Sequence, residues 1–250
     1  MHVAIVTVGD ELLAGSTTNT NASWLASQIT ERGSSVERVL TIPDDRALIA
    51  DIVSEWHEAF DAVIVTGGIG GTPDDVSVEG VADGLDRDLI VHEGIREGLL
   101  EKAAAFRDEN PELLDEYDLE IDLDATAAIP AGATPIVTDE SWAPGCVAEN
   151  VYVFAGIPDE MRAMFDRVAD EFRGDAVTRT IYTPAPEGSL HTALEGVTDA
   201  FDVSVGSYPR SERRPGRIRV RGTDVDAVAD AIAWLEERVE TTEPPETSQR

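Results

Sequence analysis

Two continuous apolar runs, Val3-Ala4-Ile5-Val6-Thr7-Val8 and Ala62-Val63-Ile64-Val65-Thr66, constrain this chain more than any other feature. Neither alternates with polar residues, so each reads as a strand covered on both faces. Helical stripes lie between them. From Asn19 to Gly33, Ala22, Leu25, Ala26 and Ile29 recur at helical spacing, and Gly33 is placed to stop the helix. Val36 to Ile42 reads as a further strand. Pro43-Asp44-Asp45 then opens a helix with Leu48, Ile52 and Trp56 on one face and Ile49 and Val53 beside them. Strand, helix, strand, helix, strand with right-handed crossovers predicts an α/β fold in three layers, a parallel sheet with helices on both sides. Ligands then belong at the carboxyl ends of the strands.

The rest of the chain is less uniform. Residues 92–128 read as helical and strongly acidic, interrupted at Asn110-Pro111. Ile136-Val137 and the stretch from Val147 to Phe154 either rejoin the sheet or form an appended hairpin. Pro158 to Arg173 is an amphipathic helix with Met161, Met164, Phe165, Val168 and Phe172 inward. Near Gly174 the pattern changes to strand (Thr178–Thr183), helix (Ser189–Ala200), strand (Phe201–Val205), strand (Arg217–Arg221) and helix (Asp224–Val239), the last with Val225, Val228, Ile232, Leu235 and Val239 on one stripe. This predicts a large domain over 1–173, a small βαββα, α+β domain over 174–240, and a disordered tail over 241–250 with Pro244-Pro245.

Charge narrows the function classes. The 250 residues hold 50 Asp plus Glu against 19 Lys plus Arg, a formal net charge of −31. Neutralising nucleic-acid phosphates needs surplus cations, so no nucleic-acid partner is expected. The acidic residues run along the whole chain, which fits a surface adapted to molar salt better than an acidic interaction tail, and implies a halophilic source. Lys102 is the only lysine, which excludes a Gly-Lys-Ser/Thr phosphate loop, and its flanking Glu101 and Ala103 make it a poor Schiff-base lysine. Cys146 is the only cysteine, which excludes an internal disulfide and a multi-thiolate metal site. No apolar run approaches membrane-span length, and no basic leader precedes Val3. A cytoplasmic, unprocessed protein is therefore expected, with no membrane partner.

The residues that carry chemistry lie in two loops. The first is Thr66-Gly67-Gly68-Ile69-Gly70-Gly71-Thr72-Pro73-Asp74-Asp75, between a buried strand and a helix expected to start near Asp74. Glycines there let backbone N–H groups close on a phosphate, and the helix N-terminus adds positive dipole. Asp74 and Asp75 would repel a bare phosphate, and a magnesium-class cation bridging carboxylate and phosphate oxygens resolves that conflict. The bland alternative is a tight turn with Asp74 as N-cap. The second loop, Gly9-Asp10-Glu11-Leu12-Leu13-Ala14-Gly15 followed by Asn19-Thr20-Asn21, leaves the first strand at the same sheet edge. One of Asn19 and Asn21 is expected to cap the following helix.

These motifs, together with Ala143-Pro144-Gly145 and Gly156-Ile157-Pro158-Asp159-Glu160-Met161, occur in an order and spacing similar to the molybdopterin-binding, MoaB/Mog-like domain of the CinA family. The resemblance covers roughly residues 1–173, and the remainder is similar to that family's small second domain. It implies a MoaB/Mog-like fold in which Thr66, Gly67, Gly68, Gly70, Gly71, Thr72, Asn19, Asn21, Pro144 and Gly145 contact the ligand. It implies a divalent metal (magnesium, manganese or cobalt) on Asp75 and Asp74, with help from Asp10. The activity implied is hydrolysis of ADP-ribose or a similar dinucleotide pyrophosphate; for that reaction the acid-flanked glycine loop makes Glu11 the candidate general base. The alternative is binding or adenylylation of molybdopterin. A homo-oligomer is implied as well. This chain departs from the family in having Gly71 where proline is usual, and in lacking the usual polar segment before Pro130. The longer members' deamidase domain has no counterpart, so that activity is expected to be absent. Trp142 reads either as a stacking wall or as a core aromatic. Arg210, Arg213, Arg214, Arg217, Arg219 and Arg221 are expected to pair with neighbouring carboxylates.

Overall fold

The computed structural model describes residues 1–110, 122–211 and 214–244, so Pro111, Arg213, the segment 111–121 and the tail 245–250 lie outside the described residues. The chain divides into two compact units, one built from Met1–Thr30 and Ser34–Arg173, the other from Glu31–Gly33 and Gly174 onward.

The first unit is organised by a six-stranded sheet. Its strands are β1 (His2–Val8), β2 (Ser35–Ile42), β3 (Ala62–Thr66), β6 (Thr134–Ile136), β7 (Gly145–Ala148) and β8 (Val151–Phe154), in the spatial order β2-β1-β3-β8-β7-β6. The neighbours β2/β1, β1/β3 and β3/β8 are parallel, with Ile5 opposite Val39 and Ile64, and Val65 opposite Val153. Every residue of β3, and of β1 from Val3 onward, is buried, as their unbroken apolar sequence requires. The chain moves outward from β1 to β2 and back past β1 to β3. Right-handed crossovers therefore put the intervening helices Thr20–Glu31 and Arg46–Ala59 on opposite faces.

The stretch from 134 to 154 rejoins the sheet. β6, β7 and β8 run antiparallel to one another, so a parallel core gains an antiparallel edge. A short pair that the sequence did not announce, β4 (Leu89–Val91) with β5 (Ala128–Pro130), flanks the helix Glu93–Glu109. In the helix Arg46–Ala59 the buried stripe is Ile49, Val53 and Trp56, with Leu48 and Ile52 only half-buried, a rotation of one residue from expectation. The helix Pro158–Val168 buries Met161, Met164, Phe165 and Val168, and a 3₁₀ turn carries Phe172 into the same core. There Phe165 packs edge-on to Trp24 and stacks on Phe172.

The second unit has the βαββα order. Strands β9 (Val177–Thr183), β10 (Ser204–Tyr208) and β11 (Gly216–Gly222) form an antiparallel sheet in the order β10-β11-β9. The helices His191–Ala200 and Val225–Glu236 close its core around Val197, Ile218, Val220, Val228, Ala231 and Leu235. Val225 is exposed and Ile232 only half-buried, with Ala231 buried beside it. The arginines of β11 alternate with the buried Ile218 and Val220. Arg217 lies 4.6 Å over the Tyr208 ring, where a carboxylate partner was expected. The first tail residues are ordered, because Thr242 N donates to Tyr182 O at 2.9 Å. Among the described residues no helix is long and apolar enough to cross a membrane.

Candidate functional site

The ends of β1 and β3 meet where the chain has glycines. Gly67 has φ +107° and lies so close to Val8 O that a Cβ has no room, and a Cβ on Gly156 would stand 3.2 Å from Gly67 Cα. Gly67 N donates to Phe154 O at 3.1 Å and Gly9 N to Ile42 O at 3.1 Å. Three loops thus leave the carboxyl edge of the sheet in contact with one another, as expected of a doubly covered parallel sheet.

The glycine loop then turns back on itself. Thr72 donates to Asp75 Oδ2 twice, from its backbone N at 2.9 Å and its Oγ1 at 2.6 Å. The helix begins later than expected, at Ser77, with Val76 at its N-cap and no side-chain cap bond, so Asp74 is not a cap. Asp74 is exposed, and hydrogen bonding from the Thr72 hydroxyl and its own backbone holds its carboxyl below the ordinary value.

A cavity of about 360 Å³ opens beside this loop. Gly68, Gly70, Gly71, Thr72 and Asp75 line one side. Trp142 and Pro144 stand on its wall with Val78 and Leu89, and Glu79 and Asp122 add two carboxylates. Asp122 also caps the helix Leu123–Thr126 by accepting from Ala125 N at 3.0 Å. Trp142 is therefore a cavity wall. Gly145 is not: it is buried in β7 against Val153 O and Met164 Sδ, where a side chain cannot fit.

The other loop lines a separate, smaller cavity of about 80 Å³ with Glu11, Asn19, Asn21, Thr66 and Gly156. The two acidic loops share a sheet edge and not a pocket. The Glu11 carboxylate folds back over Gly9, 2.6 Å from where a Cβ would stand, away from Asp75's cavity. Asp10 is exposed, and its backbone N donates to Asp44 Oδ2 at 2.9 Å. Asn19 is the helix cap: its Oδ1 accepts from Ala22 N at 3.1 Å, and its Nδ2 donates to Thr7 Oγ1 at 2.8 Å and Thr41 Oγ1 at 3.2 Å. Thr66 spends its buried hydroxyl on Ala155 O at 2.7 Å. Both side chains tie strand ends together. Asn21 Nδ2 holds Gly156 O at 2.7 Å, while its Oδ1 is buried without a partner.

Asp44 was not singled out from the sequence. Asp45 caps the helix by accepting from Ala47 N and Leu48 N, which frees Asp44 to bind Asp10 N and to approach Gly68. Two aspartates at a helix start where one suffices is the signal that could have found it. Glu79 and Asp122 carried none, because the cavity gathers them from distant segments. Cys146 is buried, and burial pushes its thiol up to about 12, so it is no nucleophile.

With this geometry in place, comparison with known proteins gives a family. The sequence profile described as "Probable molybdopterin binding domain" matches residues 4–174. The chain belongs to that family. Residues 175–244 match a second profile, described as "FAD synthase, middle domain". A protein of Archaeoglobus fulgidus is 33% identical over 95% of this chain and 97% of its own length. A protein of Aeropyrum pernix is 41% identical over 84% of this chain and 74% of its own length. Among solved structures, the CinA protein of Thermoplasma acidophilum, described as of unknown function, superposes with a TM-score of 0.59 at 29% identity. That match covers 70% of this chain and all of that one. The MoaB/Mog-like fold and the CinA resemblance expected from the motifs are thereby established for this chain.

Proposed function

We propose that the chain holds a nucleotide pyrophosphate of the ADP-ribose type in the glycine-loop cavity and hydrolyses it with a divalent metal. One observation carries this reading: a single cavity is lined by the glycine loop, by Asp75 and by Trp142. Loop N–H groups receive the phosphate oxygens, and the Trp142 indole offers a face for a base. The match of the second unit to a domain of FAD synthase supports a nucleotide-type ligand.

The metal fits if it arrives with the phosphates. Among the described residues no three His, Cys, Asp or Glu side chains gather as a ready-made shell. Magnesium-class cations need only one or two carboxylates when substrate phosphates complete the shell. Asp75 suits this, because Thr72 occupies Oδ2 and leaves Oδ1 for the metal. When bound, the metal supplies a Lewis acid and lowers the pKa of water. The chain's residues do the rest. The loop N–H groups stabilise the charge that develops as water attacks phosphorus and the bridging P–O bond breaks. Glu79, on the cavity wall, takes the base role expected of Glu11, which lines the other cavity. ADP-ribose would yield AMP and ribose 5-phosphate.

A second reading, binding or adenylylation of molybdopterin, is favoured by the spread of Asp75, Glu79 and Asp122. Carboxylates that do not converge on one point serve well as acceptors for a pterin's N–H groups. The test is AMP release from ADP-ribose, FAD and NAD in molar potassium chloride with magnesium, manganese or cobalt, beside Asp75→Asn. Metal-dependent release lost in the variant supports the hydrolase. A folded but silent protein that binds molybdopterin by calorimetry supports the second reading.

A further inference from the structure

The only lysine of the chain holds the loop that presents Trp142. Lys102 sits on the helix Glu93–Glu109, and its Nζ donates to Thr138 O and to Ser141 O, each at 2.8 Å. These carbonyls stand at the two ends of one turn, closed from within by Ser141 N donating to Thr138 Oγ1 at 3.3 Å. Thr138 and Ser141 are both 3% exposed, so the ammonium replaces water that these carbonyls cannot reach. Ser141 Oγ lies 2.7 Å from both Ala143 O and Glu160 Oε2, which fixes the far side of the same turn. The next residue is Trp142. Trp142 lines the 360 Å³ cavity and also a second cavity of about 40 Å³ beside Gly98, Leu99 and Lys102. Trp142 also packs against the hydrophobic core, so the clamped turn sets where the residue enters between core and cavity.

We propose that Lys102 is a positioning residue that sets Trp142 against the ligand by clamping the turn Thr138–Ser141. The inference rests on the ligand site proposed above, and its chemistry is specific. An ammonium presents three donors radially to carbonyls, which acceptor-free lysine does well. Eighteen of the chain's 19 cations are arginine, and the exception stands where two main-chain carbonyls converge on one point.

The test compares Lys102→Met, Lys102→Gln and Lys102→Arg in the full chain, with thermal unfolding to confirm that each folds. Lys102→Met should raise KM for ADP-ribose at least about fivefold, the loss of a stacking contact, with kcat within about twofold. Lys102→Arg should recover part of that loss. Independently of activity, Lys102→Met should shift tryptophan emission and acrylamide quenching, and the shift should vanish when Trp142→Phe is added. A kcat loss with unchanged KM, or unchanged emission in folded variants, overturns the proposal. If the wild type neither cleaves nor binds nucleotide but the Trp142-dependent shift appears, the positioning role stands and the proposed function falls. Should Lys102→Met not fold, Lys102→Gln, whose shorter amide lacks the ammonium's radial reach to both carbonyls, should show the same KM and emission changes at smaller size, and wild-type values in it overturn the proposal.

Discussion

Thr72 grips Asp75 with two donors on one oxygen, 2.9 Å from its backbone N and 2.6 Å from its hydroxyl. The grip folds the carboxylate onto Gly70, where a Cβ would stand 2.5 Å from Asp75 Oδ2. Gly71, one residue on, has nothing within 4 Å of its Cβ position. The two glycines are therefore not equivalent. Gly70→Ala should displace Asp75 and lower kcat/KM by about 100-fold, as misplacing a reacting group does. Gly71→Ala should stay within about twofold of wild type on the same argument. Steady-state kinetics on the two variants decides this.

Gly67 is required by the fold. Its positive φ and its contact with Val8 O leave no place for a side chain. Gly67→Ala should cost at least about 2 kcal/mol in urea unfolding. It should do so equally with and without ligand. Loss of activity with unchanged stability would place Gly67 in the site instead.

Alkaline pH should weaken the fold. Burial raises the Cys146 thiol from 9.0 to about 12, so the unfolded chain releases a proton that the native one keeps. Stability from this group is complete below pH 9.0 and falls as pH rises towards about 12, by about 1 kcal/mol per pH unit. Tyr152, buried and hydrogen-bonded to Glu171, is raised in the same direction and adds to the loss. Cys146→Ala should remove its own share of the slope in denaturant titrations at several pH values. The native thiol should resist disulfide reagents near neutral pH and react on unfolding.

Salt should strengthen it. With a net charge of −31, self-repulsion opposes the compact state until ions screen it. Raising potassium chloride from about 0.1 M to about 2 M should raise Tm by several degrees. A flat or falling Tm would contradict the halophilic reading.

The sequence announced the sheet where burial is complete and hid it where elements are short. β1 and β3 are legible because both faces demand apolar residues. β4 and β5 were missed because each has three residues and Ile90 and Val91 are exposed. The register of Ile49 and Val53 against Leu48 and Ile52 depends on which way the helix leans on its neighbours, and periodicity alone leaves that open. In the site, the glycine loop was legible because its conformation needs glycine at Gly67 and Gly68. The division of the two acidic loops between separate cavities was not. Sharing the edge of a sheet sets a direction, whereas sharing a cavity depends on side-chain packing, as when Glu11 folds over Gly9. The clamp of Lys102 on Thr138 and Ser141 joins positions 36 and 39 residues apart, beyond any local pattern.

The most direct measurement is a crystal structure with an α,β-methylene analogue of ADP-ribose, which keeps the diphosphate and cannot be cleaved at the bridge. The expected result is a diphosphate on the backbone of Gly68 to Thr72, with Asp75 beside it and a base against Trp142. A diphosphate in the cavity of Glu11, Asn19 and Asn21, or a base placed away from Trp142, would contradict the account.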